Sequence, residues 1–317
     1  VAEATTVELD AQYRQLREEC GLLDRSARGK LAVRGAEAAE YLQGQLTNDV
    51  EGLALGEGCY AALLDRKGHI QGDMRVLRTA PEEVWIDTEP AALEAVLRHL
   101  ETYKIGRNVE VADLTAERAV ISLIGPRSVE VAGTAALLEH ASEAANVGGV
   151  ECLAVGTGDG IDLIARADDA ERLREALLAA DAAEVSPEAA EVLRIEAGTP
   201  RFGAEMSGEA MPAEAGIVEA AVDFEKGCYI GQEPVARLHY RGRPNRHLRG
   251  LVLSAPAKPG TALRLGEKEV GRIGSACVSP ARGPIALAIV RREAEPGAEL
   301  SAGEDGVTAR VVDLPFG

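Results

Sequence analysis

Residues 226–233, Lys-Gly-Cys-Tyr-Ile-Gly-Gln-Glu, gather the most chemistry into the shortest stretch of this 317-residue chain. Cys228 offers a thiol, whose nucleophilic and redox-active form is the thiolate. Lys226 and the arginines downstream make its neighbourhood electropositive, which favours that form. Tyr229 beside it presents a large amphipathic ring that can pack on another ring. Gly227 and Gly231 predict a sharp bend or a close backbone approach, and Pro234 is expected to stop any regular structure. A small buried Cys at a strand-to-turn junction is the plainer alternative.

Two acids stand where their types are not favoured. Asp73 falls in mid-strand, on the polar face with Gln71 and Arg75, so it is either solvent-exposed or placed to bind something. Glu196 falls in the last turn of a helix, where the dipole disfavours an anion. Pairing with Arg194 or Arg201 would be a structural reason for it; a cationic or N–H-rich ligand edge would be a functional one. Arg237, Arg241, Arg243, Arg246 and Arg249 follow within 13 residues, with His239, His247 and no acid, in a chain of net charge −18. Such an island suits a small anionic ligand and repels polyanions; a solvated linker is the alternative.

The elements that must position these residues can be read in order. Residues 8–20 have helical composition and end at Gly21, a good helix-stop residue. A short strand over 30–34 precedes a helix over 36–46, which Gly44 interrupts; a close-packed neighbour or a simple cap would explain the glycine. Gly58–Leu64, the turn 65–69 and Ile70–Leu77 form the clearest hairpin. A strand over 84–87 and a helix over 90–103 come next, then strands at 109–111 and 119–124 and a helix after Pro126. Two further strands flank the Gly-Asp-Gly turn at 158–160, and a helix covers 169–180. Ser186-Pro187-Glu188 opens the helix that carries Glu196 and ends near Gly198. From Leu248 onward, short strands broken by Pro and Gly turns predict a small barrel or sandwich. The expected architecture is α+β with a C-terminal antiparallel β-barrel, divided as 1–245 and 246–317.

Composition excludes several classes. Hydrophobic and charged fractions of 46% and 27% are globular values. The net charge of −18 argues against direct nucleic-acid or anionic-membrane binding. No apolar run approaches ~18 residues, so no membrane span is expected. Residues 1–10 lack the basic-then-apolar pattern of a secretory leader. The five cysteines, at 20, 59, 152, 228 and 277, include no Cys-x-x-Cys pair, so neither a disulfide framework nor a metal site is expected. A cytoplasmic location follows as an expectation.

Taken with its motifs, the chain resembles the aminomethyltransferase (glycine-cleavage T-protein) superfamily, and within it the YgfZ-type folate-binding proteins of iron–sulfur cluster assembly. Tyr41-Leu-Gln-Gly-Gln-Leu-Thr-Asn-Asp-Val50 resembles the N-terminal block, and Arg194-Ile-Glu-Ala-Gly198 the pterin-binding segment. Gly271–Ser275, Ile285–Ala288 and Leu314–Phe316 resemble the closing barrel. Lys226–Glu233 is similar to the YgfZ signature; true aminomethyltransferases lack the thiol there.

The resemblance implies a GcvT-like ring of three subdomains with tetrahydrofolate bound at its middle. Glu196 would accept the N–H and amine of the pterin edge. Arg194 or the 237–249 arginines would hold folate carboxylates, and Lys226, Tyr229, Gln232 and Arg237 would complete the binding set. Asp73 falls where aminomethyltransferases carry the acid that acts on the one-carbon unit. Three functions are therefore expected in turn. The first is a folate-binding accessory of iron–sulfur cluster assembly working through Cys228, with iron–sulfur enzymes or assembly proteins as partners. The second is an aminomethyl or methyl transferase working through Asp73, and the third a binding protein with a vestigial site.

Overall fold

The computed structural model describes residues 6–316; residues 1–5, read above for a leader, lie outside them. The chain divides into two compact units, each assembled from separate segments. The first comprises residues 1–64, 71–189 and 221–230, the second 65–70, 190–220 and 231–317.

In chain order the elements are α1 (Thr6–Glu18), β1 (Gly21–Asp24), β2 (Gly29–Arg34), α2 (Ala38–Gln43), β3 (Gly58–Leu64), β4 (Ile70–Ala80), β5 (Glu83–Thr88), α3 (Pro90–Tyr103), β6 (Glu110–Asp113), β7 (Arg118–Ile124), α4 (Ser128–Ala132), β8 (Ser142–Val147), β9 (Val150–Thr157), β10 (Gly160–Arg166), α5 (Ala170–Ala179) and β11 (Ala183–Glu184). They form two sheets in the first unit, ordered β3-β4-β5-β2-β6 and β11-β1-β7-β10-β9-β8. Strand β7 shows how the second sheet is built. Ile121 and Leu123 point into a core completed by Leu173 and Leu177 of α5. Val120, on the opposite face, packs with Leu77 of β4, Val155 and Ile164. Burial on both faces explains why β7 is apolar on both, broken within its span only by Ser122 after the opening Arg118.

Between those sheets lies a buried ionic ladder. Arg75 contacts Asp162 at 2.8 Å and also pairs with Asp87, while Arg28 reaches Asp87 at 2.6 Å and pairs with Glu89. Ser122 donates to Asp162 at 2.6 Å. Ser122 and Asp162 share the face of Val120 and Ile164, so that face carries the ladder beside an apolar cluster.

The remaining elements are α6 (Pro187–Ala197), α7 (Pro212–Ala215), α8 (Val218–Ala221), α9 (Gln232–Arg241), β12 (Arg246–Leu253), β13 (Ala262–Leu265), β14 (Lys268–Ser279), β15 (Gly283–Arg291), β16 (Glu299–Ala302) and β17 (Val307–Val312). Strands β12-β15-β14-β13-β16-β17 close into a barrel, filled by residues such as Leu251, Leu263, Ile273, Val290, Leu300 and Val311. Closure removes the exposed edges that six short strands would otherwise present.

Three expectations are corrected. The first helix stops at Glu18, and Gly21 opens β1 instead of capping it. Gly44 follows α2 with an ordinary right-handed φ of −80°, and a Cβ there would meet only the Tyr41 carbonyl at 3.7 Å. Of the two explanations for that glycine the close neighbour is corrected, and the simple cap is the one observed: Gly44 is the C-cap of α2, its N–H donating to the Tyr41 carbonyl at 3.2 Å. Pro234 does not end regular structure but sits in the first turn of α9. First-turn N–H groups have no helical partner in any case, so proline is tolerated there. Gly231, at φ +83°, makes the bend before that helix, whereas Gly227 has nothing within 4 Å of a would-be Cβ.

Candidate functional site

Asp73 lies on β4 and is held from both neighbouring strands. Tyr60 of β3 donates its phenolic O–H to Asp73 Oδ2 at 2.7 Å, and Thr88 of β5 donates to the Asp73 carbonyl at 2.6 Å. The other carboxylate oxygen, Oδ1, is enclosed and has no hydrogen-bond partner. Of the two expected outcomes for this acid, solvent exposure is therefore corrected. Burial pushes the Asp73 carboxyl above the usual range, against the Tyr60 bond and the Arg28 charge, which pull it down. The Tyr60 phenol is driven well up, first by burial and then by the neighbouring carboxylate. An orphaned buried oxygen costs about 1–3 kcal/mol, more for a charged group, so this one is primed for a donor.

A short chain of contacts leads from this acid to the signature segment. Asn48 donates to the Tyr60 carbonyl at 2.8 Å, and the Asn48 carbonyl accepts from Lys226 Nζ at 2.7 Å. Lys226 Nζ also donates to the carbonyls of Gln43 and Leu46, each at 2.7 Å. The block 41–50 and the segment 221–229, far apart in sequence, are thus clasped together. Asp223 strengthens the clasp: its N–H donates to the Thr47 carbonyl, and its Oδ1 accepts from the N–H of Glu225 and Lys226. Burial lowers the Lys226 ammonium to about 8, with Asp49 the strongest opposing charge. Its Nζ lies 5.2 Å from the Tyr229 ring centroid, within cation–π range. Tyr229 itself is 7% exposed, its hydroxyl is enclosed without a partner, and burial pushes it up to about 12.

Cys228 is exposed. The Lys226 ammonium is turned to three backbone carbonyls. The thiol that Lys226 influences is Cys59, which burial nevertheless pushes up to about 12.

The other expected residues belong to the second unit. Glu196 is 5% exposed, and its Oε1 accepts the hydroxyl of Ser279. That hydroxyl in turn accepts the N–H groups of Ala281 and Arg282. Neither suggested arginine pairs with Glu196. Arg194 and Arg201 both bind Glu191 instead, at 2.7 and 2.9 Å. All five N–H donors of Arg194 are engaged, by both oxygens of Glu191, the Thr199 carbonyl, Glu205 and Ser275. None is left for a folate carboxylate, so Arg194 is a structural cation. Gln232 is half-buried at the start of α9, and Arg237 is exposed along it. Further along the basic run, Arg246 is paired with Glu214 and Arg249 with Asp313.

Two surface cavities lie elsewhere. One of about 460 Å³ is bounded by Arg34, Gly35 and residues 80–83 of the first unit. One of about 290 Å³ in the second unit is lined by Gly216, Leu238, His239 and Pro244, among others. The sequence gives no distinct signal for Tyr60, Asn48, Arg28 or Glu89. The closest hint is the hairpin itself, which makes β3 the neighbour of the strand carrying Asp73.

An enclosed carboxylate held by a phenol thus sits on an antiparallel sheet, in a chain with a closed C-terminal barrel. Residues 3–226 match the GCVT N-terminal domain, and residues 246–316 match the glycine cleavage T-protein C-terminal barrel domain. The aminomethyltransferase of Rubrobacter xylanophilus is 33% identical over 97% of this chain and 86% of its own length. That of Symbiobacterium thermophilum is 32% identical over 96% and 88%. Among solved structures, the glycine cleavage system aminomethyltransferase T from Bartonella henselae superposes with a TM-score of 0.89. It is 24% identical, with 99% of this chain and 91% of that chain covered. The chain belongs to the glycine cleavage T-protein family. No described helix is long and apolar enough to cross a membrane.

Proposed function

We propose that this protein binds tetrahydrofolate and supports folate-dependent one-carbon transfer of the aminomethyltransferase type, with Asp73 as the working acid. The observation that carries this is the enclosed, unpartnered Oδ1 of Asp73 in a chain of this family. An acceptor without a donor fits a ligand that brings N–H groups, and the equally unpartnered Tyr229 hydroxyl fits the edge of an aromatic ligand. Tetrahydrofolate, when bound, supplies a nitrogen that carries the one-carbon unit. Tyr60 fixes Oδ2 and so leaves Oδ1 as the oxygen that orients or takes a proton. A carboxyl raised by burial is better matched to proton transfer near neutral pH than an ordinary one. Lys226 clasps 41–50 to the segment carrying Tyr229, which holds that ring in place. Glu196, the acid that the resemblance assigns to the pterin edge, is tested separately by Glu196→Gln.

Calorimetry with tetrahydrofolate tests binding. Incubation with tetrahydrofolate and aminomethyl or methyl donors, followed by detection of 5,10-methylene- or 5-methyl-tetrahydrofolate, tests turnover. Asp73→Asn is expected to keep binding and abolish turnover; a folded protein that takes up no folate removes the proposal.

A second reading is favoured by the exposure of Cys228 beside a glycine that nothing crowds. In it the protein serves iron–sulfur cluster assembly or repair as a folate-binding accessory, with that thiol as its working group. Cys228→Ala should then abolish rescue of cluster-enzyme activity in cells lacking the protein. Full rescue excludes it.

A further inference from the structure

Asp73 shares its sheet face with charges that the proposed chemistry does not use. Asp73 and Arg75 stand two apart on β4, and Arg75 is in register with Asp87 of β5. Met74 is in register with Thr88, and the backbone stays extended through Glu89 at φ −63° and ψ 144°, so Glu89 falls opposite Asp73. Arg28 reaches this face from the turn between β1 and β2, where it pairs with both Asp87 and Glu89. Lys30 of β2 is in register with Asp87, but its ammonium donates to the carbonyls of Ser26 and Arg28. Tyr60 faces the acid from β3.

The ladder is graded in enclosure. The side chains of Arg75, Asp87 and Asp162 are 8%, 3% and 5% exposed, whereas those of Arg28 and Glu89 are 23% and 22% exposed. Asp73 stands beside that more open end and takes part in none of these pairs. Its Oδ1 has no partner and its Oδ2 is taken by Tyr60, so Arg28, held by Asp87 and Glu89, acts on it as a fixed charge through space. Glu89 is the like charge across from it. A half-exposed pair adds little to stability, so fastening the β1–β2 turn is a weak reason for placing it there.

We propose that Arg28 and Glu89 are positioning residues for Asp73, a pinned pair of opposite charges that sets how readily this carboxylate takes a proton. The proposal rests on Asp73 as the working acid and extends that reading to what governs it. Burial favours the neutral acid; after the Tyr60 hydrogen bond, the Arg28 charge favours the carboxylate, while Glu89 opposes it. The Tyr60 phenol feels the same two charges with the same signs. One cation thus keeps the enclosed acid available as a base, and one anion keeps that base from becoming too weak to accept a proton.

Carbon-detected NMR of the full chain labelled with carboxyl-¹³C aspartate follows the titration of Asp73, assigned by the signal lost in Asp73→Asn; the pH–rate profile of folate-dependent turnover is recorded in parallel. Glu89→Gln removes the like charge at nearly constant size, so Asp73 should titrate at lower pH than in wild type, and lower still in Glu89→Lys. Arg28→Met should move the titration to higher pH, and Arg28→Lys should return it most of the way. The acidic limb of the pH–rate profile should follow in the same directions. An Asp73 titration unmoved in both Glu89 variants, or moved the same way by Glu89→Gln and Arg28→Met, overturns the proposal, and turnover that persists in wild type leaves Asp73 as the working acid. If wild type gives no turnover, the reading of Asp73 fails, and the NMR titration alone decides whether the pair sets its charge. Arg28→Met deprives buried Asp87 of one cation, so where that variant does not fold the two Glu89 variants decide.

Discussion

Tyr60 and Asp73 are joined by one hydrogen bond of 2.7 Å, from the phenol to Oδ2, and that bond decides which carboxylate oxygen remains without a partner. The bond favours the charged form of Asp73 and therefore holds its pKa below where burial alone would put it. Tyr60→Phe removes the donor while keeping the ring. Asp73 should then titrate higher, and the acidic limb of the pH–rate profile for folate-dependent turnover should move to higher pH. A phenol with a merely structural role would lower the rate at every pH without moving the limb.

Asp73→Asn should stabilise the fold at neutral pH. The folded-state pKa of Asp73 is raised, so its contribution is fully present below the unfolded pKa and is lost as pH rises through the folded value. Removing the charge removes that loss, while the amide oxygen can still accept from Tyr60. The melting temperature of the variant should exceed that of wild type at pH 7, and the gap should close toward pH 3. A gap that is constant with pH would mean that the carboxylate is not the source.

The parts of the chain that were legible share a local cause. The hairpin over 58–80 is marked by its own turn chemistry: Asp65 caps the turn, and Gly68 takes a φ of +80°. Helix α3 begins at Pro90 because proline suits a first turn. By contrast, α9 was hidden because Pro234 and a run of arginines look like a linker; its first turn packs against Gly68 of the hairpin tip, and its Val235 is buried. Strand β8, Ser142–Val147, is short and largely small and polar, so its pairing to β9 supplies what its residues do not. Within the site, Asp73 was visible as an acid out of place, but Tyr60 was an unremarked strand residue. Arg194 pairs with Glu191 three residues back, its neighbour on one face of α6, whereas Glu196 two residues on lies round the helix; spacing alone therefore favours Glu191.

Lys226→Met should loosen the first unit. Loss of the ammonium leaves the Gln43, Leu46 and Asn48 carbonyls without this donor, at a cost of about 3 kcal/mol. Amide hydrogen exchange should accelerate in 41–50 and 221–229 ahead of the barrel strands. Lys226→Arg should recover little, because a planar fork cannot replace three donors on one tetrahedral nitrogen. Uniform acceleration throughout the chain would count against a local clasp.

Arg194→Met should destabilise the second unit by about 3–5 kcal/mol, since it strands buried Glu205 without its cation. Monoglutamate folate affinity, measured where the variant is still folded, should not change. A selective loss of affinity without loss of stability would return Arg194 to the binding set.

The five thiols should separate by accessibility. Cys228 is exposed, whereas burial pushes Cys20 and Cys152 up to about 11 and Cys59 and Cys277 up to about 12. Thiolate is the reacting form, so at pH 7.5 those four present almost none of it, and Cys20 is also fully enclosed. A maleimide should therefore label one thiol quickly in the native protein and all five in denaturant, with peptide mapping placing the first label on Cys228. Lys226 gives the sharper comparison, because its charge lies near Cys59 and still does not bring that thiol into range. Lys226→Met should leave the Cys228 labelling rate unchanged; a marked slowing would show that the ammonium does act on the exposed sulfur.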